Sequence, residues 1–380
     1  MIQGFGSREF ATQRNSQQLS QGYVLKITFV LPYFGMSGGI RVAAIYADLL
    51  QRRGHDVLIV SQPAKEPTSS DRIRSLLRGK KAKKPKPAGS YLKNKDVKHI
   101  VLDRRRPVLD SDVPDADCII ASWWETAYWV SALSESKGAK FHFVQGHEVF
   151  APIPWQISRG AYFLPFRRIA VSQWLIDILA REYGDTNATL IHNSVDLDQF
   201  HATPRDRQPT PTVGFVYSKI STKGIDICLR AIEQARRHIP DLKLIAFGSR
   251  APADDLIEGS TFFENPAQDD IRNIYASCDA WLFGSRGEGF GLPLLEAMAC
   301  RTPVIATRAG AAPDLIKNGV NGHVVDIEDS DAMAARIVDV LKLPPAEWRE
   351  MSDAALEVAK GHTWEDATDR FEKTLLEATR

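Results

Sequence analysis

Residues 280–296 read AWLFGSRGEGFGLPLLE: an apolar run, a glycine-rich loop, and a second apolar run that contains a proline near its start. The run Ala280–Phe283 is typical of a buried strand, and Pro293 suits the first turn of a helix. The peptide N–H groups of such a loop, together with the positive end of the following helix, bind anions such as a diphosphate. The stretch therefore predicts a strand, a tight turn and a helix, with an anion site at the turn.

Two carboxylates belong to the same stretch. Glu288 would lie in the loop, and Glu296 would lie just over one turn into the helix. A carboxylate does not bind phosphate, but it accepts hydrogen bonds from sugar hydroxyls. The alternative interpretation is a structural glycine turn with a capping glutamate, and the glycine cluster alone leaves both interpretations open.

Similar apolar runs alternate with helical patterns along the chain. Strands are predicted over residues 25–31, 57–60, 99–102, 117–121, 141–145, 168–171, 213–217, 242–247, 280–283 and 304–307. In the second half, helices would start near Ile225, Gln268, Pro293 and Asp331. This alternation is typical of parallel strands covered by helices. We expect an α/β protein with two doubly wound domains facing a central cleft, where ligands bind beyond the carboxyl ends of the strands.

The length of 380 residues suits two domains with separate cores. We expect a flexible extension over residues 1–22, an N-terminal domain over 23–198, a linker over 199–212 and a C-terminal domain over 213–362. The last helix, residues 363–380, would return to complete the N-terminal domain.

The composition, with 44% hydrophobic and 25% charged residues, excludes a wholly disordered chain. No uncharged apolar run approaches the roughly 18 residues of a membrane span, and residues 1–22 lack the apolar centre of a signal peptide. We therefore expect a cytoplasmic protein. The four cysteines are scattered through apolar stretches, which predicts buried free thiols: Cys118, Cys228, Cys278 and Cys300.

The net charge of +1 conceals a basic segment. Residues 65–98 hold twelve basic and three acidic side chains, a net charge of +9. One interpretation is that residues 70–98 contact an anionic membrane on its inner face and bring the cleft to a lipid-linked acceptor. The other is a solvated insertion. A nucleic-acid site would place aromatic residues among the charges, and only Tyr91 is near, so we expect no nucleic-acid partner.

The order of several motifs resembles the retaining GT-B glycosyltransferases of family 4, also called group 1, which transfer sugars from nucleotide diphosphate donors. Glu288 and Glu296, with Gly-Phe-Gly-Leu-Pro between them, resemble the paired glutamates of that family. Further segments follow in the family's order: Gly38-Gly39, His147-Glu148, residues 193–196, Lys223-Gly224, residues 302–307 and residues 319–322. The resemblance extends over roughly residues 24–375, and the chain of matches is more specific than any one of them.

This resemblance implies a role for each matching residue. Glu296 would hold the ribose hydroxyls, and Glu288 the donor sugar, while Lys223 would neutralise the diphosphate as the glycosidic bond breaks. The implied donor-binding set is Gly38, Gly39, Ser218, Lys219, Lys223, Asn265, Glu288, Gly289, Phe290, Gly291, Leu292 and Glu296. His147 would lie at the sugar and form the catalytic set with Glu288 and Lys223; the alternative is a buried structural histidine.

Three positions depart from the family pattern. Ser218 stands where the family has an arginine, and the ammonium group of the adjacent Lys219 does not reproduce a bidentate guanidinium. Asp314 replaces a glutamate, and Ser194 replaces a glycine.

The acceptor site is less specific. Trp123, Trp124 and Tyr128 follow a predicted strand and would either stack on acceptor sugars or pack in the core. An Asp-x-Asp pair can hold a metal ion in the other, GT-A, class of transferases, but here such pairs are no more frequent than chance supplies. We therefore expect no metal ion. We also expect no other cofactor.

The predicted function is transfer of a sugar to a saccharide or lipid-linked saccharide acceptor, in bacterial cell-surface polysaccharide or glycolipid synthesis. Residues 143–148 and the tryptophan-rich run resemble bacterial rhamnosyltransferases of cell-surface polysaccharides, which adds deoxythymidine diphosphate sugars to the candidate donors. Two alternatives remain open: a nucleotide-sugar epimerase on the same fold, and a catalytically silent module that binds glycans or partners.

Overall fold

The computed structural model describes residues 23–63 except 34 and 36, then 96–150, 153–249 and 256–379. The predicted extension over 1–22 lies outside these residues, and so does the basic segment apart from 96–98. In the described part, strands and helices alternate as the apolar runs predict.

The first domain is built on a seven-stranded parallel sheet with the strand order β3-β2-β1-β4-β5-β6-β7. Its strands are β1 (Lys26–Leu31), β2 (Asp56–Ser61), β3 (Lys98–Val101), β4 (Cys118–Ala121), β5 (Ala139–Val144), β6 (Arg167–Ala170) and β7 (Thr189–Leu190). Its helices are α1 (Gly38–Arg52), α2 (Trp124–Ser131), α3 (Trp155–Gly160) and α4 (Gln173–Tyr183). The strand order reverses between β1 and β4, which is the switch point of a doubly wound sheet.

The second domain has a six-stranded parallel sheet with the order β10-β9-β8-β11-β12-β13. Its strands are β8 (Thr212–Val216), β9 (Lys243–Gly248), β10 (Thr261–Glu264), β11 (Ala280–Phe283), β12 (Val304–Thr307) and β13 (Gly322–Val325). Its helices are α5 (Ile225–Arg236), α6 (Ile271–Ala276), α7 (Leu292–Ala299), α8 (Ala312–Leu315), α9 (Ser330–Lys342) and α10 (Pro345–Lys360). The predicted fold of two Rossmann-like domains is confirmed.

Three short strands were not predicted from the sequence: β7, β10 and β13. β7 has two residues, and β10 is a half-exposed strand at the edge of its sheet, so neither shows the apolar run of a central strand. The helix expected near Gln268 begins as a 3₁₀ turn, Gln268–Asp270, which continues into α6.

The switch point of the second sheet lies between β8 and β11. The loop that follows β8 carries Lys223, and the loop that follows β11 carries Glu288. In the first sheet, the loop after β1 leads into Gly38 at the start of α1. The doubly wound topology therefore brings three of the predicted segments to the ligand-binding edges of the two sheets.

The last helix, α11 (Trp364–Leu376), packs against α1 of the first domain. Phe371 is fully buried there and stacks on Tyr46 with ring centroids 4.4 Å apart. It also meets Phe143 edge to face at 5.4 Å and stacks on Phe29 at 6.2 Å. A helix from the end of the chain thus fills the core of the first domain.

Replacing Phe371 with alanine should leave a large cavity among these rings. Deleting a buried phenylalanine costs about 3–5 kcal/mol, which predicts a fall of at least about 6 °C in the midpoint of thermal denaturation. The matched control is Lys373→Ala on the same helix, where the side chain is 76% exposed and the midpoint should hardly change. Equal midpoints for the two variants would contradict the packing of α11.

Candidate active site

The glycine-rich loop of the second domain lies against the first domain. Ser172 Oγ and Trp174 Nε1 donate hydrogen bonds to the carbonyl oxygen of Gly289 at 2.6 and 3.1 Å. A Cβ atom added at Gly289 would lie 1.6 Å from the carbonyl oxygen of Gln145. Only glycine permits this close approach of the loop to the first domain.

The turn into α7 also requires a glycine. Gly291 has a φ of +95°, and a Cβ there would lie 2.8 Å from the ring of Phe283. Phe290 is only 3% exposed, so its side chain packs in the core. Only its backbone could contact a bound sugar donor. Leu292 begins α7 and is half-buried.

Lys223 and Glu288 form an ion pair between the two loops of the second sheet. Ser285 Oγ donates to the same carboxylate oxygen at 2.9 Å. Lys223 ends a 3₁₀ turn, and the next residue, Gly224, has a φ of +58°. A Cβ at Gly224 would lie 1.8 Å from the carbonyl oxygen of Gly284, so the two loops can meet only with a glycine at this position. The structure therefore joins two residues of the predicted catalytic set.

Glu296 accepts hydrogen bonds on both carboxylate oxygens. Tyr275 donates to Oε2 at 2.9 Å, and Arg41 Nη1 of the first domain lies 2.9 Å from Oε1. The side chains of Arg41 and Glu296 are 17% and 11% exposed. Sequence reasoning missed Arg41 and Tyr275; the only signal was an arginine two residues after Gly39, in the first turn of a helix.

Three further residues of the predicted donor-binding set lie in the loops that follow β8 and β10, where they make local contacts. Ser218 Oγ accepts from the Ile220 amide at 3.2 Å, and Lys219 is exposed on the same turn. Asn265 follows β10 with a φ of +48°, and its amide donates to the Gly248 carbonyl at 2.7 Å.

Gly38 and Gly39 form the first turn of α1. A Cβ at Gly38 would meet no atom within 4 Å, whereas one at Gly39 would lie 3.4 Å from the side chain of Gln145. Gln145 Nε2 donates to the Gly39 carbonyl at 3.0 Å, which ties α1 to the loop after β5.

His147 follows β5 in the first domain, where its Nε2 lies 2.6 Å from the hydroxyl of Tyr183. Burial lowers the pKa of His147 below its usual value. The adjacent Glu148 is buried, and its carboxylate accepts from the Trp124 amide at 2.7 Å. Burial raises the pKa of Glu148 well above its ordinary value. Sequence reasoning missed Tyr183, which is 36 positions from His147.

The predicted acceptor aromatics lie at the start of α2 and are all half-buried: Trp123, Trp124 and Tyr128. Trp124 and Tyr128 meet edge to face at 6.4 Å, and the Tyr128 hydroxyl donates to the Ile157 carbonyl at 2.8 Å. These side chains therefore pack against neighbours while keeping part of their surface in contact with solvent.

A further interdomain contact involves Asp314, which departs from the family pattern in the sequence. Its Oδ2 accepts from the Gln173 amide at 2.8 Å and lies 3.1 Å from His192 Nε2. Asp314 thus caps the amino end of α4 from the other domain.

In the described ranges, no group of three or more His, Cys, Asp or Glu side chains could hold a metal ion. The four cysteines are buried with free thiols, as predicted. No described helix is both long and apolar enough to cross a bilayer.

The two Rossmann-like domains, which contact each other through their loops, have the GT-B fold of glycosyltransferases. Family models match both domains: "Glycosyltransferase Family 4" over residues 36–199 and "Glycosyl transferases group 1" over residues 210–343. The chain belongs to this family of glycosyltransferases.

Curated relatives agree with this assignment. A D-inositol 3-phosphate glycosyltransferase of Mycobacterium marinum is 32% identical over 205 residues, which are 47% of this chain and 43% of the relative. A GDP-mannose-dependent alpha-(1-6)-phosphatidylinositol monomannoside mannosyltransferase of Mycolicibacterium smegmatis is 31% identical over 201 residues, 46% of this chain and 52% of the relative. The chain spans about half the length of these relatives.

Solved structures share the fold at low sequence identity. Sucrose-phosphate synthase of Thermosynechococcus elongatus superposes with a TM-score of 0.71 at 17% identity, covering 93% of this chain and 98% of the other. Anabaena HepE in complex with UDP-glucose gives a TM-score of 0.70 at 19% identity, covering 93% and 100%.

The Gly289→Ala substitution should push the two domains apart, because its Cβ would overlap the Gln145 carbonyl oxygen. We expect a larger radius of gyration in small-angle X-ray scattering, with each domain still folded around its own core. Gly287→Ala is the matched control, since a Cβ there would meet nothing within 4 Å. Identical scattering from both variants would show that the contact does not hold the domains together.

Proposed function

We propose that the chain transfers a sugar, with retention of anomeric configuration, from a nucleotide diphosphate sugar to a saccharide or lipid-linked saccharide acceptor. The observation that carries this proposal is the Lys223–Glu288 ion pair beside the glycine-rich loop at the switch point of the second sheet. It places a cation and a sugar-hydroxyl acceptor next to backbone amides, as a diphosphate with an attached sugar requires.

The loops after β8 and β11 have different parts in binding the donor and stabilising the transition state. The amides from Gly289 to Leu292 hold the distal phosphate, and Lys223 stabilises the negative charge that grows on the diphosphate as the glycosidic bond breaks. Glu288, fixed by Lys223 and Ser285, accepts hydrogen bonds from hydroxyls of the donor sugar. The acceptor hydroxyl attacks from the face that the phosphate leaves and gives its proton to that phosphate, so no protein nucleophile is needed.

His147 contributes from the first domain. Because burial lowers its pKa, the ring is neutral near pH 7. Tyr183 occupies Nε2, which leaves Nδ1 to meet a hydroxyl of the transferred sugar. A neutral ring beside the reacting centre orients the sugar without adding a charge.

An exposed apolar surface on the first domain supports a lipid-linked acceptor. Phe150, Trp155, Ile157 and Phe163 are 47%, 48%, 54% and 62% exposed. This surface adjoins the proposed transfer site, because the ring of Phe163 meets that of Tyr183 at 5.2 Å. Arg159 is exposed among these residues, with its guanidinium 5.8 Å from the centre of the Tyr183 ring, and its charge favours anionic headgroups.

We infer that this apolar surface and the basic segment over residues 70–98 bind the inner face of a membrane during cell-surface polysaccharide or glycolipid synthesis. The name of the M. smegmatis relative includes phosphatidylinositol monomannoside, a lipid-linked sugar, and this supports a lipid-linked substrate here. We propose that the reaction uses no metal ion or other cofactor.

The proposed activity is tested by a thermal-shift screen against UDP-, GDP- and dTDP-sugars, followed by transfer assays with the donor that stabilises the protein. Release of nucleoside diphosphate that depends on an acceptor, with an α-linked product from an α-linked donor, supports the proposal. Conversion of the donor alone would instead identify an epimerase. Binding without turnover across a panel of acceptors would favour a silent module.

The Lys223→Ala variant should lower turnover at saturating donor more than tenfold, because a lost phosphate contact costs on the order of 1.4 kcal/mol or more of transition-state stabilisation. Lys243→Ala is the control, since Lys243 lies at the opposite, amino end of strand β9. Wild-type turnover of Lys223→Ala would refute the phosphate role.

Membrane binding is tested by flotation with vesicles of phosphatidylcholine and phosphatidylglycerol. We expect the wild-type chain to float, and the triple variant Trp155→Ser, Ile157→Ser, Phe163→Ser to remain largely at the bottom of the gradient. A deletion of residues 79–95 should weaken flotation and make it less sensitive to salt.

The control for the triple variant is Val320→Ser with Ile327→Ser, two exposed apolar residues of the second domain. These substitutions should leave flotation unchanged. If the triple variant and the deletion both float as well as the wild-type chain, the proposed membrane contact is wrong.

A further inference from the structure

The contact between Arg41 and Glu296 is not explained by the roles assigned so far. Arg41 lies in the first turn of α1, whereas Glu296 lies in α7 of the other domain, 255 positions along the chain. The guanidinium Nη1 is 2.9 Å from Glu296 Oε1. Arg41 is itself held beside the ring of Phe200, with its Nη2 3.4 Å from the side-chain oxygen of Gln199.

The carboxylate of Glu296 is fixed from both sides. Tyr275 donates to Oε2 from a fully buried position, and Arg41 bonds to Oε1. A carboxylate accepts about four hydrogen bonds, two on each oxygen. With one position on each oxygen taken, each oxygen can accept one more bond. That arrangement matches a vicinal diol, whose two adjacent hydroxyls each donate one hydrogen bond.

Charge gives a second reason for the pair. A nucleoside diphosphate carries at least two negative charges, so an unpaired carboxylate in its pocket would repel it. Arg41 offsets the charge of Glu296 much as Lys223 offsets that of Glu288. A pair formed across the cleft makes this compensation depend on the first domain.

We propose that Arg41 is a positioning residue for nucleotide recognition: it holds Glu296 so that both carboxylate oxygens receive the 2′- and 3′-hydroxyls of a ribose. The nucleotide of the donor is then a ribonucleotide, and a 2′-deoxyribonucleotide is discriminated against. This inference rests on the proposed function, because it assumes that Glu296 faces the ribose of a bound donor.

The inference is tested by calorimetry with UDP, GDP and their 2′-deoxy forms, on the full chain. Whichever ribonucleotide binds, the wild-type protein should bind it at least about tenfold more tightly than its 2′-deoxy form, since a hydrogen bond to a charged group is lost. In Arg41→Ala this preference should fall below about threefold. Arg41→Lys keeps the charge without the planar group and should give an intermediate preference.

The ratio of the affinities for the ribonucleotide and its 2′-deoxy form separates positioning from a general loss of structure. A pocket that is merely destabilised binds both nucleotides more weakly by the same factor. Arg52→Ala is the matched control on the same helix: that side chain is 70% exposed and pairs with Asp48. The control should keep the wild-type ratio. Tyr275→Phe, which removes the bond to the other carboxylate oxygen, should lower the ratio as Arg41→Ala does.

Two results would overturn the inference alone: a wild-type protein that binds both forms equally or prefers the deoxy form, or an Arg41→Ala variant that keeps the wild-type ratio. A wild-type chain that binds neither UDP nor GDP nor their deoxy forms, and is not stabilised by any nucleotide sugar, would instead show that the proposed function itself is wrong.

Discussion

The carbonyl oxygen of Gly289 joins the two domains, and the geometry of the cleft depends on it. Ser172 and Trp174 of the first domain donate to this single acceptor, and the missing side chain allows the backbone near Gln145 to come close. The same loop supplies the amides proposed to bind phosphate, so the anion site and the interdomain contact share one peptide segment. A movement of the domains therefore changes the environment of the donor loop directly.

The two sheets could be predicted from the sequence because most strands are apolar runs bounded by polar residues or glycine. Strands β11 and β12 were predicted to the residue, whereas the half-exposed edge strand β10 gave no such signal. In the site, Glu288 and Lys223 could be predicted from their motifs, since each motif also requires a glycine at a fixed neighbouring position. Arg41 could not be, because one arginine in the first turn of a helix is ordinary and its partner lies 255 positions away.

The proposed donor pocket contains acidic side chains although its proposed ligand is an anion. Each glutamate that would face the donor has a basic partner, Lys223 for Glu288 and Arg41 for Glu296. Carboxylates provide directional acceptors for hydroxyls, and the adjacent cations limit their repulsion of phosphate. One cation belongs to each domain, so the full charge balance exists only when the cleft is closed.

The chain passes between the domains twice, once near residues 199–211 and again between α10 and α11. The two passages are adjacent, because the Val195 amide donates to the His362 carbonyl at 3.2 Å. A single connecting segment would allow the two domains to bend and twist relative to each other in many directions. Two connections side by side restrict the relative rotation of the domains to fewer directions than one would, which favours the return of the same atoms to contact after any separation of the domains.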